Sequence, residues 1–195
     1  MIPLNTKPKG PVPSPFSAAQ QATFDAGFTK AVAKYPPERS RAALLPALHL
    51  AQDLLGWLPE AAMAYVGSRL DIPPARVREV ATFYTMYKLK PQGRHHIEVC
   101  NSVSCWAMGS EDLIKHCESK LGIHKGEITA DGHFSLGEAA CLAGCGYAPA
   151  VLINNYRYAE HMTAEKMDKL IEELKSAPGN KMADFPENKD TGRAH

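Results

Sequence analysis

No apolar run in this chain reaches the roughly 18 residues needed to cross a bilayer, so any membrane association is expected to come through another subunit. The first ten residues lack the apolar stretch of a secretory signal, and no arginine precedes Arg39, which argues against a mitochondrial transit peptide. Charge of either sign is not in excess: 22 Lys and Arg against 21 Asp and Glu leave a net +1. Nucleic acid needs a concentrated basic surface and is therefore excluded as the main partner. There is no Gly-x-Gly-x-x-Gly, so nucleotide binding is expected elsewhere. Internal repeats are absent, and cysteine is sparse, with five in 195 residues and no Cys-x-x-Cys among them. These absences leave a cytosolic globular protein as the simplest reading. Disulfides rarely persist in that compartment, so grouped cysteines read as metal ligands or redox thiols.

An apolar fraction of 45% is ordinary and allows a core, in one domain or two small ones. Residues 1–15 hold five prolines and little apolar mass, which predicts an extended or disordered tail. Ser17 can cap a helix with Phe24, Phe28, Ala31 and Val32 on one face, ended by Pro36-Pro37. Leu44, Leu48, Ala51 and Leu55 form a second stripe; Pro46 inside it predicts a kink or a start nearby. Gly56 suits a helix stop, and Pro59 suits the first turn of a third helix burying Met63, Val66, Gly67 and Leu70. After Pro73-Pro74, Val77, Val80, Ala81 and Tyr84 mark a fourth. Residues 16–90 thus read as a helical bundle with proline turns. The Phe83–Tyr87 run reads as hydrophobic packing between the two halves of the chain.

The period changes after Pro91-Gln92-Gly93. His96–Cys100 alternates like a strand. Ser110-Glu111-Asp112 reads as a capped helix start, with Leu113, Ile114, Cys117 and Leu121 inward. Asp131-Gly132 signals a hairpin within Ile128–Glu138. Pro149–Ile153 is a short buried strand, Asn154-Asn155 supplies positive φ for a turn, and Tyr156–Tyr158 follows. Thr163 caps a last helix with Met167, Leu170, Ile171 and Leu174 inward. The order is β-α-β-β-β-α or close to it, a small mixed sheet with helices against it across residues 91–176. From 177 to 195 the chain is polar and unpatterned, a tail.

Four of the cysteines form two pairs, Cys100-x4-Cys105 and Cys141-x3-Cys145, each in a loop of small or polar residues. Four thiolates from two loops can close a shell around a metal centre. Structural zinc usually takes Cys-x2-Cys knuckles, whose short turns aim both sulfurs at one ion. Wider loops suit a two-iron cluster whose irons each need two thiolates, although neither common ferredoxin spacing is matched. Spacing alone favours the cluster and leaves zinc and a redox dithiol open. Cys117 lies on an apolar helix stripe and reads as a structural hydrophobe. His95-His96 sit at a strand entrance, where four thiols already fill the shell; His49, mid-helix, reads as core or surface.

Val80–Tyr87, then Val99-Cys100-x4-Cys105, then Cys141-Leu142-Ala143-Gly144-Cys145-Gly146-Tyr147-Ala148-Pro149, then Ile153-Asn154, together resemble the thioredoxin-like [2Fe–2S] subunit of respiratory NADH:quinone oxidoreductase (complex I). Ala43–Pro46, Ala51-Gln52 and Gly56–Pro59 fit its helical half. The resemblance spans roughly residues 16–176. It implies an α+β chain: a helical bundle, then a thioredoxin-like α/β domain holding one [2Fe–2S] cluster. Cys100 and Cys105 would bind one iron, and Cys141 and Cys145 the other.

The resemblance also implies an electron-transfer subunit with no substrate site of its own. Its cluster exchanges an electron with the FMN of an adjacent NADH-oxidising flavoprotein, off the main cluster chain to quinone. The other hydrophilic-arm subunits of complex I are further partners, and the location is cytoplasmic, peripheral to the inner membrane. Equivalent subunits serve NAD-linked hydrogenases and formate dehydrogenases, and a zinc-stabilised interaction module is the alternative of another class. Formal charges of such a cluster sum to about −2, and to about −3 when reduced, so it needs donors. Ala143, Gly144 and Gly146 leave N–H groups unobstructed, and Asn101, Ser102 and Ser104 add side chains. The Ser102–Ser104 and Gly144–Gly146 donors are expected to tune the potential. The helical half is the expected docking surface. Ala148-Pro149 resembles the cis-proline of thioredoxin folds, with the isomer left open.

Overall fold

The computed structural model describes residues 11–177, so most of the N-terminal tail and the tail beyond Ala177 lie outside the described residues. The chain divides into two compact units between Pro91 and Gln92. Residues 11–15 carry no helix or strand.

In the first unit, α1 (Ala18–Val32) begins at a capping box. The Gln20 N–H donates to the Ser17 hydroxyl at 3.4 Å, and the Ser17 N–H donates to Gln20 Oε1 at 3.0 Å. A 3-10 turn over Pro37–Ala43, too short to show a period in the sequence, leads into α2 (Leu44–Leu55). Pro46 therefore sits in the first turn of α2, where its missing N–H is no loss, and it marks a start rather than a kink. Gly56 ends α2 in the left-handed conformation, φ 79°. Pro59 is the cap of α3 (Glu60–Arg69), one place earlier than expected, and α4 (Pro74–Phe83) completes the bundle. Phe24, Leu48, Val66 and Val77 are fully buried at its centre. Tyr84, Met86 and Tyr87 pack on this same core, whereas Phe83 points outward. The aromatic run thus serves the helical unit itself.

One polar side chain pins that run. Gln52 is buried on α2; its amide donates to the Met86 carbonyl at 3.0 Å and its oxygen accepts from the Lys88 N–H at 2.7 Å. Gln52→Leu keeps the volume and strands both backbone groups. The expected loss is about 2 kcal/mol, read as a lower denaturation midpoint.

The second unit contains β1 (His95–Cys100), α5 (Val103–Ala107), α6 (Ser110–Leu121), β2 (Phe134–Ala139), a 3-10 turn (Cys145–Tyr147), β3 (Val151–Ile153), β4 (Arg157–Ala159) and α7 (Ala164–Ser176). The sheet order is β2-β1-β3-β4. β1 and β2 run parallel in the register His95↔Phe134 to Cys100↔Ala139, and the other two pairs are antiparallel. This is the mixed helix-and-sheet class that the sequence implies. Ile97, Val99, Leu136, Val151 and Ile153 share one core with Leu113, Ile114 and Cys117 of α6 and Met167, Leu170 and Leu174 of α7. Strand alternation therefore sends Cys100 to the opposite face.

Asn154 and Asn155 make the β3–β4 turn with φ of 51° and 66°, and the Thr163 hydroxyl caps α7. Three local features differ from expectation. Gly109 at φ 89°, not Ser110, precedes the first turn of α6, because the buried Ser110 hydroxyl is bonded elsewhere. The first hairpin arm shrinks to a single bridge between Ile128 and Ser135, since β2 is taken by β1. The five-residue α5 follows β1 after only Asn101 and Ser102.

His95 is fully buried beside Phe134, and neither ring nitrogen reaches a hydrogen-bond partner. Burial pushes its pKa below the ordinary value; the nearby Leu174 and Ala177 backbone pulls the other way, and the Arg94 and His133 charges push it down further. The unfolded chain then takes up the proton first. Stability is fully present above about pH 6.5 and falls as pH drops through that value toward the folded pKa. Denaturation curves of the native chain and of His95→Leu across this window should show a weaker pH dependence in the variant.

Candidate metal centre

Parallel strands end on the same side, so the loops that follow β1 and β2 leave the sheet together. Cys100 is the last residue of β1, and Cys105 lies in α5 just beyond it; both are buried. Cys141 follows β2 by two residues and Cys145 opens the 3-10 turn before β3; both are exposed. The loops are tied by the backbone. The Cys100 N–H donates to the Ala150 carbonyl at 3.0 Å, and the Asn101 N–H donates to the Ala139 carbonyl at 2.9 Å. Cys100, Cys105, Ala148 and Ala150 form a small cluster, with Leu142, the neighbour of Cys141, packed on it. The Ala148–Pro149 bond in the second loop is cis.

All five cysteines are free thiols. Burial pushes the Cys105 thiol up, a hydrogen bond from the Ala150 backbone pulls it down, and the Cys100 and Cys145 sulfurs push it up again. The Cys105 thiol thus lies in hydrogen-bond reach of Cys100 and within the field of Cys145, while Cys141 and Cys145 are both exposed. Two thiol pairs on two neighbouring loops form a donor set that fits a two-iron cluster, in which each metal takes one pair. Cys117 is fully buried in the α6–α7 core, where burial first and the Asp168 carboxylate second push its pKa to about 12. It is an inert hydrophobe. His49 Nε2 lies 2.9 Å from the Met86 sulfur, and His96 Nδ1 lies 2.8 Å from the Ser135 hydroxyl; neither joins the thiols.

Of the donors read in the sequence, Ala143 reaches a sulfur and Asn101 does not. Ala143 takes a left-handed φ of 56°, and its N–H donates to the Cys141 sulfur at 3.3 Å. A non-glycine residue held there stores strain of about 1 kcal/mol or more, set against this bond. The Asn101 side chain is directed at Glu138 and Ser110 rather than at the thiols. Ser102 stands at the start of α5 without a capping side-chain bond. Sequence reasoning also missed the exposed apolar residues beside the thiols. Val103, Trp106 and Met108 are 77%, 57% and 63% exposed on and just after α5, and Tyr147 is exposed two places after Cys145. Only the placement of α5 turns them outward.

Fold and site together define a class: a small α/β unit that carries two free cysteine pairs at one end of a mixed sheet. The family model for thioredoxin-like [2Fe-2S] ferredoxin matches residues 28–175. The chain belongs to this thioredoxin-like [2Fe-2S] ferredoxin family. It is 50% identical over 146 residues to the E subunit of NADH-quinone oxidoreductase from Rickettsia bellii (strain RML369-C), covering 74% of this chain and 87% of that protein. It is 41% identical over 147 residues to the E 2 subunit of NADH-quinone oxidoreductase from Rhizobium meliloti (strain 1021), covering 75% and 86%. Among solved structures, the NAD+-reducing [NiFe]-hydrogenase in its H2-reduced state matches with a TM-score of 0.59 and 29% identity. That match covers 75% of this chain and 23% of the hydrogenase chain.

Two glycines that look alike in the sequence differ in space. A Cβ at Gly144 would stand 3.1 Å from the Ala150 Cβ, inside the thiol cluster, whereas one at Gly146 meets nothing within 4 Å. Gly144→Val is expected to lower iron bound per chain, and Gly146→Ala to leave it unchanged, as read by metal analysis and visible absorbance.

Proposed function

We propose that this chain is the electron-transfer subunit of an NADH:quinone oxidoreductase, with one [2Fe–2S] cluster held by Cys100, Cys105, Cys141 and Cys145. The observation that carries the reading is the parallel β1–β2 pair, which brings two free cysteine pairs to one end of the sheet. It does so in a chain 50% identical to the Rickettsia bellii protein. Cys100 and Cys105 are assigned to one iron, and Cys141 and Cys145 to the other. When bound, the cluster supplies uptake and release of one electron.

The residues of the chain supply the rest. Buried Cys100 and Cys105 anchor the inner side of the centre and keep water from it. Exposed Cys141 and Cys145 present its outer side to a partner, the side from which an electron has the shortest way out. The Ala143 N–H stabilises the negative charge on Cys141. Val103, Trp106 and Met108, on and just after the helix of Cys105, add exposed apolar surface, as expected where an FMN- and NADH-binding flavoprotein docks. The helical unit remains a second proposed contact with complex I subunits. No helix among the described residues is long and apolar enough to cross a membrane, which accords with a peripheral place in the complex on the cytoplasmic side.

The similarity to an NAD+-reducing hydrogenase supports a second reading, the equivalent component of such an enzyme. The 50% identity to an NADH-quinone oxidoreductase protein against 29% to the hydrogenase favours the first. Anaerobically purified protein should contain about two irons and two acid-labile sulfides per chain, with a rhombic EPR signal after dithionite. Serine at any of the four ligand positions should reduce that content. Cys117→Ala should leave it intact and cost about 1 kcal/mol of stability. Zinc without sulfide, persisting after anaerobic reconstitution with iron and sulfide, would overturn the redox reading. Copurification with a flavoprotein and complex I subunits, against hydrogenase subunits, separates the two parent enzymes.

A further inference from the structure

Behind the first thiol pair runs a chain of polar side chains drawn from four places in the fold. Lys125, in the loop after α6, bonds one carboxylate oxygen of Glu138 on β2. The other Glu138 oxygen accepts from Asn101 Nδ2 at 2.9 Å, directly after β1. Asn101 Oδ1 accepts from the buried Ser110 hydroxyl, at the first residue of α6, at 2.8 Å. The Asn101 backbone N–H donates to the Ala139 carbonyl at 2.9 Å. Asn101 thus spends the donor and acceptor of its side chain and its main-chain N–H on three separate groups. It is the first of the two residues between Cys100 and the helix that carries Cys105.

We propose that the Lys125–Glu138–Asn101–Ser110 chain positions the Cys100–Cys105 loop and sets the charge behind it. Asn101 is the positioning residue, and Glu138 and Lys125 act on the redox potential in opposite senses. The inference rests on the cluster assignment above. Its mechanical part follows from connectivity. Cys100 is fixed by its strand and Cys105 by α5, and of the two residues that link them, Asn101 and Ser102, the first is held to β2 and α6 at once. A side chain clamped at both ends fixes the direction in which the loop leaves the sheet. Its electrostatic part follows from charge. Hydrogen bonds from Lys125 and then Asn101 hold the Glu138 carboxyl below its ordinary pKa, so it is an anion at neutral pH. A bound cluster would gain one negative charge on reduction, beside the Cys100–Cys105 loop. A nearby carboxylate opposes that step and a nearby ammonium assists it, more so where water is partly excluded. Lys125 also lies within the field of Glu118 and Glu111, so its removal leaves three carboxylates without their common partner.

The test uses the full chain, loaded anaerobically, and four variants: Glu138→Gln, Lys125→Met, Asn101→Ala and Asn101→Asp. Iron and sulfide are counted first in the native chain, and midpoint potentials are then taken from EPR-monitored titrations at low and high salt. Glu138→Gln keeps the acceptor for Asn101 and should raise the potential; Lys125→Met should lower it. Both shifts should shrink with added salt, because the pair is partly exposed and therefore screened. Asn101→Ala should lower cluster content and alter the EPR line shape while the circular dichroism stays native. Asn101→Asp, which places a second carboxylate against Glu138, should lower content further. Should either Asn101 variant fail to fold, the Glu138 and Lys125 pair still decides. Shifts of the same sign, or none, in a native chain that carries the cluster would overturn this inference alone. A native chain that cannot be loaded would overturn the parent assignment and this one with it.

Discussion

Everything at the thiol end of the molecule depends on the parallel pairing of β1 with β2. The two strands are far apart in sequence, and only their shared direction makes the loops behind them neighbours. The pairing in turn demands that backbones come close. At Gly93, where the chain approaches β1, a Cβ would stand 2.3 Å from the Phe134 carbonyl carbon and 2.6 Å from the Ser135 nitrogen. At Gly137 a Cβ would meet the His96 ring at 2.9 Å. A side chain at Gly93 would push against the β2 backbone and disturb this pairing, whereas one at Gly137 would have to displace the His96 ring. The antiparallel partner on the other side, β3, completes the arrangement: the Ala150 carbonyl just before it accepts from the Cys100 N–H.

The same topology explains why the two pairs are unlike. Cys100 ends a central strand and inherits the burial of that strand, and α5 folds Cys105 back beside it. Cys141 and Cys145 belong to the connection between an edge strand and β3, which runs over the surface. One thiol pair is therefore built into the protein and the other faces outward. A carrier that must accept and release charge has use for both properties. Exclusion of water on the inner side strengthens each hydrogen bond and charge there, while the outer side leaves a short path to a partner.

The helices and their ends were legible in the sequence because the information is local. Ser17 with Gln20, Gly56, Asn154-Asn155 and Thr163 act within a few residues of themselves, and the apolar stripes of α1, α6 and α7 repeat often enough to show a period. The thiol spacing was legible for the same reason. What escaped depended on distant partners. Ser110 looks like a cap until Asn101, earlier in the chain, is placed beside its hydroxyl. Asn101 looks like a donor to sulfur until Glu138 is seen to hold its amide. The first arm of the Asp131-Gly132 hairpin looks like a strand until β1 occupies the edge it needs. At five residues, α5 is too short to show any period, although its position decides which neighbours of Cys105 face water.

The wide gap in sequence between the two loops has a consequence for how the protein is made. Each cysteine pair is a local feature, present as soon as its own stretch of chain emerges. Cys100 and Cys105 leave the ribosome well before Cys141, with α6 and all of β2 still to come. A nascent chain thus offers a half-complete set of thiols for some time, and the set closes only when the long-range sheet contact forms. On the proposed ligand assignment, a chain whose strands have not paired has no complete socket to fill. Cys117, the one thiol between the two pairs, is withdrawn into the α6–α7 interior by that same collapse. The event that completes the socket also removes the competing thiol.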